Sequence, residues 1–224
     1  MSGTASTLAS LHARTNGPGA RVEAKRFRII EVAMRHFAEH GFEAARISDM
    51  ADELGIAKGS IFQHFGSKDG LFFEVYKKAA CSFSPYLKVP SEIRQAGFFD
   101  ILRYWLVRTE HFVHEDWIPY RVYLLGNYGT NLALKREINR FISSEDPYGR
   151  IEFVRWGLQR GELRKDLDVE VIVSMLDWIV ERFQDALVTE ELDPGLFRRT
   201  GAALEKKEAR INQFLDILRR AIGK

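Results

Sequence analysis

The sequence predicts an all-α protein, and three observations carry that prediction. From Val22 onward apolar residues recur three or four apart, the spacing of one helix face, and no stretch alternates as a half-buried strand would. Glycine follows the ends of the periodic runs and proline falls at their starts, which is how helices are punctuated. Residues 47–65, ISDMADELGIAKGSIFQHF, fit two short helices about a tight turn.

Residues 1–20 are rich in Ser, Thr, Gly and Ala, lack periodicity, and are predicted to be a disordered basic leader. The first helix is predicted over 22–40, with Ile30, Ala33 and Phe37 on one face and Gly41 as its stop. Short helices are predicted next over 46–54 and 58–65, closed by Gly55 and Gly66. Ser67 is placed to cap a fourth helix to about Cys81. Pro85 and Pro90 punctuate a connector, and Ser91 can cap the helix after it. Helices are then predicted over 98–114, 116–127 and 131–143. Asp146-Pro147 restarts the chain as N-cap and first-turn proline for a helix through Arg160, and Gly161 ends it. Asp168 caps a very apolar helix to Leu187, with Ile172, Met175, Leu176, Ile179 and Phe183 inward and Val169, Val173, Val180 and Leu187 on the other side. Asp193-Pro194 repeats the cap-plus-proline device before the last helix, broken near Gly201, whose apolar stripe is Leu204, Ile211, Phe214 or Leu215, Leu218 and Ile222.

Composition narrows the function classes. The chain has 224 residues, 29% charged and 46% hydrophobic, as expected of a soluble globular protein and of neither a collagenous nor a wholly disordered one. One cysteine, Cys81, excludes an intrachain disulfide and suits the cytoplasm. No apolar run is long enough for a membrane helix, and no secretory h-region opens the chain. The net charge of +2 points to no particular partner. Its distribution does, because Arg14, Arg21, Lys25, Arg26 and Arg28 crowd the first 28 residues against the acidic Glu23. Positive charge at a helix start opposes the helix dipole, so Arg21, Lys25, Arg26 and Arg28 are expected to reach phosphates or a minor groove.

The geometry of 47–65 can be argued position by position. A tight turn between crossing helices needs a left-handed residue, and Gly55 supplies it. The close crossing needs a small inward side chain, Ala51, flanked by Met50, Leu54, Ile56 and Ile61. The residues left outward on the second helix are Lys58, Ser60, Gln63 and His64, a row of hydrogen-bonding groups. This is the layout of a helix-turn-helix whose second helix enters a major groove.

Phe37-Ala38-Glu39-His40-Gly41-Phe42, the stretch 47–65, then Ser67-Lys68 and Leu71 resemble the N-terminal domain of TetR-type (TetR/AcrR) transcriptional regulators. Arg160-Gly161-Glu162-Leu163 with Asp166 and a capped apolar helix resembles the regulatory half of that family. The resemblance implies a DNA-binding domain over 22–82, with its motif at about 46–65, and a helical regulatory and dimerisation domain over 83–224. It implies a homodimer on double-stranded operator DNA, with a ligand pocket and the dimer interface in the helical domain. The expected function is a repressor released by a small effector, apolar or aromatic to suit the rings named below, with no enzyme activity, no cofactor and no metal. Lys58, Lys68 and the amide of Gly59 are then expected at phosphates. Ser60, Gln63 and His64, with Arg46 and Ser48 from the supporting helix, are expected at bases. The family often has Ser or Thr where this chain has Ala57, and Tyr where it has Phe62; both changes delete a hydroxyl that could bond a phosphate.

Competing chemistry is limited. His36-Phe37-Ala38-Glu39-His40 matches H-x-x-E-H, the pattern of a metal-dependent hydrolase, but the same residues form the first helix of the domain. His111 and His114 make a second pair beside Glu115. No nucleophile triad or phosphate-cradling glycine loop is present, and Cys81 reads as a small buried residue. Trp105, Phe112, Trp117, Tyr120 and Tyr123 are the candidate effector pocket, with Arg103, Arg108, Arg121 and His111 able to meet an anionic group. The same rings could instead fill a solid core, giving a DNA-binding regulator with no effector.

Overall fold

The structure, a computed structural model, describes residues 18–189, 192 and 204–224. The expected leader up to residue 17, the Asp193-Pro194 cap and the break at Gly201 lie outside the described residues. Those described are helical as expected, with an isolated antiparallel bridge between Leu163 and Gly223.

Helix α1 spans Pro18–Ala44 and breaks at Gly41, whose φ of 76° is the predicted stop. It begins before the expected Val22, with Pro18 in the first turn, where its missing N–H costs nothing. Helix α2 (Ile47–Leu54) ends at the left-handed Gly55, whose φ is 64°. There Ile56 N donates to Ala51 O at 3.0 Å, satisfying a last-turn carbonyl. Helix α3 is Lys58–Phe65 and α4 is Lys68–Ser82. Cys81, expected to be buried, is exposed in the last turn of α4, next to the buried Ala79 and Ala80. Gly70 N donates to Ser67 Oγ at 3.0 Å, the expected cap.

Then come α5 (Ser91–Ala96), α6 (Phe98–Glu115), α7 (Trp117–Tyr128) and α8 (Leu132–Glu145). Helix α9 is Arg150–Gln159, starting later than the expected Pro147. Asp146 still caps it, from a left-handed backbone with φ 41°, by accepting from Arg150 N at 2.8 Å and Ile151 N at 3.0 Å. Asp168 caps α10 (Val169–Met175) through Glu170 N at 2.7 Å. A π-helical turn, Leu176–Glu181, leads into α11 (Arg182–Val188), and α12 is Leu204–Ile222.

The π turn corrects the expected face of this helix. Ile172, Leu176, Val180 and Leu187 are buried, whereas Ile179, expected inside, is 41% exposed. A π turn holds an extra residue, so side chains beyond it are rotated relative to an unbroken α-helix. Arg150 pairs with both carboxylates of the turn, Asp177 and Glu181. Burial holds the Asp177 carboxyl above its ordinary pKa despite that arginine.

The chain forms two compact units that do not follow chain order. One gathers the residues up to Ala79 with Ile118–Asn139; the other holds Ala80–Trp117 with Arg140–Lys224. In the first, Phe37, Phe42 and Phe72 pack ring on ring, and Ile29, Ala33, Met50, Ala51, Ile61, Leu71 and Val75 are buried. Helices α7 and α8 join this core by close approach. A Cβ on Gly126 would lie 2.5 Å from the Tyr76 ring and 2.9 Å from Ile138. Tyr76 OH donates to Asn127 Oδ1 at 2.8 Å, and Asn131 Oδ1 caps α8 at Leu134 N while its Nδ2 reaches Asp69.

The second unit is built on Phe98, Leu102, Leu106, Val154, Leu163, Ile172, Leu215 and Ile222. Glu162 ties its segments together. Its carboxylate accepts from Phe98 N at 2.6 Å, at the start of α6, and its carbonyl accepts from Lys224 N. Gly97, with φ 137°, leaves room for that carboxylate, since a Cβ there would meet Glu162 Oε2 at 2.5 Å.

Gly126→Ala is therefore expected to lose about 1–3 kcal/mol through overpacking against Tyr76. Denaturant unfolding checks this: the midpoint should fall with an unchanged slope, and an unchanged midpoint would show that Tyr76 yields freely.

Candidate nucleic-acid interface

Helix α3 has eight residues, too short to persist alone, so its position depends on what it buries. Ile61 and Phe65 are its inward side chains, 1% and 9% exposed, beside the fully covered Met50 and Ala51 of α2. Lys58, Gly59, Phe62 and Gln63 are exposed, while Ser60 and His64 are half-buried along the same helix. Lys58 Nζ sits 5.8 Å over the Phe62 ring. On α2, Arg46 is exposed at the N-cap, and Ser48 Oγ donates to Asp49 Oδ1 at 3.0 Å.

Two basic residues of α1 grip α3. Arg26 donates to the His64 carbonyl at 3.2 Å, pairs with Glu74 at 2.6 Å, and lies 4.6 Å from the Phe65 ring centroid. This corrects the expectation that Arg26 is held out for phosphate: its guanidinium ties α3 to α1 and α4, and places positive charge at the negative end of α3. Lys25 Nζ donates to Ser60 Oγ at 2.7 Å. Arg21 and Arg28 are exposed. These links join residues more than 30 positions apart, and no periodicity or motif in the sequence signals them.

Lys68 opens α4 as expected, and its ammonium donates to the Glu43 carbonyl at 3.0 Å and lies 4.9 Å from the Phe42 ring centroid. It thus closes the end of α1. The two H-x-x-E-H histidines meet edge-on, ring centroids 5.8 Å apart, but each faces a different carboxylate. His36 Nε2 lies 2.8 Å from Glu53 Oε2, and Arg35 pairs with Glu53 at 2.5 Å, so this side of α1 is devoted to holding α2. Glu39 stands 3.9 Å from His40 instead. Among the described residues no three His, Cys, Asp or Glu side chains gather as a metal-binding set. None of their helices is long and apolar enough to cross a membrane.

The candidate effector residues are divided. Trp105 packs edge-on to Phe153 in the second unit, with its indole Nε1 buried and given no acceptor among the described residues. Trp117, also of that unit, is 47% exposed. Tyr120 and Tyr123 are buried in the first unit, their rings stacked at 5.8 Å. The side chain of Phe112 lies outside the described residues.

Comparison with known proteins agrees with this geometry. The family described as bacterial regulatory proteins, tetR family, matches residues 29–75, which span the helix-turn-helix with the later part of α1 and the first half of α4. The HTH-type transcriptional repressor SCO4008 of Streptomyces coelicolor is 30% identical over 165 residues, covering 70% of this chain and 79% of that protein. The HTH-type transcriptional repressor AcnR of Corynebacterium glutamicum is 27% identical over 168 residues, 75% of this chain and 84% of its own. The solved structure of the regulator FadR from Bacillus subtilis, in complex with stearoyl-CoA, has the same fold. Its TM-score is 0.62 at 21% identity, covering 86% of this chain and 96% of that one.

The Glu53 cluster generates a pH prediction. Hydrogen bonds from His36 and then Arg35 hold its carboxyl below the usual 4.5. A carboxylate with a depressed folded-state pKa stabilises fully above its unfolded value and loses that contribution as pH falls through the folded value. Glu53→Gln should therefore be less stable than the parent at pH 7, and in thermal melts the gap should close as pH falls below 4.5 and through the depressed folded-state value. A gap that is constant with pH would mean the ion pairs contribute nothing.

Proposed function

The chain belongs to the TetR family of bacterial regulatory proteins and is a helix-turn-helix transcriptional regulator; from that premise we propose that α3 reads operator DNA from its exposed row, in a homodimer. The observation that carries this is the division of α3: Ile61 and Phe65 are spent on the core, while Lys58, Gly59, Phe62 and Gln63 stay exposed. Lys58, Lys68 and the Gly59 amide take phosphates, and Ser60, Gln63 and His64 take bases, supported by Arg46 and Ser48. Phe62 offers an apolar edge where a hydroxyl would have bonded phosphate.

The homodimer rests on a second face. Helices α11 and α12 pack against one another through Phe183 and Phe214, ring centroids 3.9 Å apart. Yet Val171, Trp178, Ile179 and Ile217, on these helices and the segments leading into them, stay 41–74% exposed. Side chains of this size bared together are what a second copy covers. Repression is relieved, in this reading, by a small apolar or aromatic molecule in the helical body. Trp105, whose buried indole N–H has no acceptor among the described residues, supports that placement, as does a regulator of the same fold solved with stearoyl-CoA.

Two measurements test the proposal. Selection from a random duplex pool should return a two-fold symmetric site, against which Gln63→Ala loses about 1–3 kcal/mol at one base position per half-site. Lys58→Ala should weaken all sequences alike and lower the salt slope by about one per half-site. Equal losses on selected and random DNA for both variants would overturn the assignment. In light scattering the parent should have the mass of two chains, and Trp178→Asp with Ile217→Asp should reduce it to one; a parent monomer at micromolar concentration would exclude the dimer.

A further inference from the structure

We propose that Lys25 and Ser60 act as one base-reading unit that selects guanine. This rests on the reading of α3 as the recognition helix and specifies what one part of it recognises. The observation is the 2.7 Å hydrogen bond from Lys25 Nζ, near the start of α1, to Ser60 Oγ, in the first turn of α3. A serine hydroxyl alone both donates and accepts, and so reads any base edge. Here one of its lone pairs is filled by the ammonium. Among the described residues its hydroxyl hydrogen has no acceptor, so that hydrogen remains to be donated.

The ammonium brings more than an occupied lone pair. It keeps its remaining N–H donors, and both groups are only half-buried, beside the exposed Gly59 and Gln63. A positive charge within hydrogen-bond distance of the hydroxyl repels the amino hydrogens of adenine N6 and cytosine N4. It attracts the acceptors N7 and O6. Of the major-groove edges, guanine alone offers two adjacent acceptors, and Ser60 O–H with Lys25 N–H forms the matching pair of donors. Neighbouring charges leave the lysine available. Arg26, one residue on, pairs with Glu74, and so does Lys77, so that carboxylate is already shared between two other cations.

The test uses the full chain. Selection from a random duplex pool should return one guanine per half-site whose preference is lost in both Ser60→Ala and Lys25→Met, with all other positions unchanged. Methionine keeps most of the lysine stem, so the packing on α1 is retained. In the selected duplex, 7-deazaguanine or adenine at that position should weaken the parent roughly 5- to 150-fold, the range of a good two-point base contact. The same replacement should change binding by either variant less than about twofold, and the two substitutions together should cost little more than one, as coupled residues do. The inference is overturned if Lys25→Met lowers affinity for every sequence equally, which is the behaviour of a phosphate contact. It is also overturned if the Ser60-dependent position is adenine or cytosine, or if 7-deazaguanine is tolerated by the parent. A parent that selects no sequence at all would instead overturn the DNA-reading premise, which separates the two failures.

Discussion

The site depends on burial of one side of a helix too short to stand alone. An isolated helix of α3's length is marginal in water. Its order comes from Ile61 and Phe65, which are placed inside by their spacing, and from the crossing over Ala51, where a larger side chain would push the helices apart. Once those two residues are inside, the directions of Lys58, Gly59, Phe62 and Gln63 are fixed as outward. The polar row is therefore a consequence of the apolar one. Gly55 sets the angle between the two helices, and Arg26 closes the far end of α3 by meeting the His64 carbonyl, Glu74 and the Phe65 ring together.

The same economy recurs where the chain changes direction. Glu162 holds the start of α6 and the end of the chain at once, which gives the Arg160-Gly161-Glu162-Leu163 segment a structural reason in this molecule. Gly97 and Gly126 each make room for a neighbour, a carboxylate in one case and an aromatic ring in the other. Glu53 is shared by Arg35 and His36, so the histidine that suggested a metal ligand serves instead to fasten α1 to α2. A formal motif and a helix-pairing contact can use the same side chains.

Much of this was legible in the sequence because it is local. Helix stops at Gly41, Gly55 and Gly66, the caps at Ser67 and Asp168, and the inward positions Met50, Ala51 and Ile61 are each set within a few residues. The features that were not legible depend on partners far along the chain. Arg26 has the look of a free cation in the sequence because Glu74 and His64 lie far from it along the chain. The face of the apolar helix after Asp168 differs from expectation at Ile179, Val180 and Leu187 because hydropathy at a 3.6-residue period carries no sign of a π turn. The gathering of Ile118–Asn139 with the N-terminal helices rests on Tyr76 against Gly126 and Asn127, again contacts between distant residues.

The central claim is that the exposed row of α3 is the surface that meets DNA. Amide hydrogen exchange of the full chain, with and without a duplex selected from a random pool, tests it most directly because it reads each segment separately. Exchange is expected to slow on residues 58–64 and at the start of α1 when the duplex binds. Protection confined to other helices, with residues 58–64 exchanging as in the free protein while the duplex is bound, would contradict it.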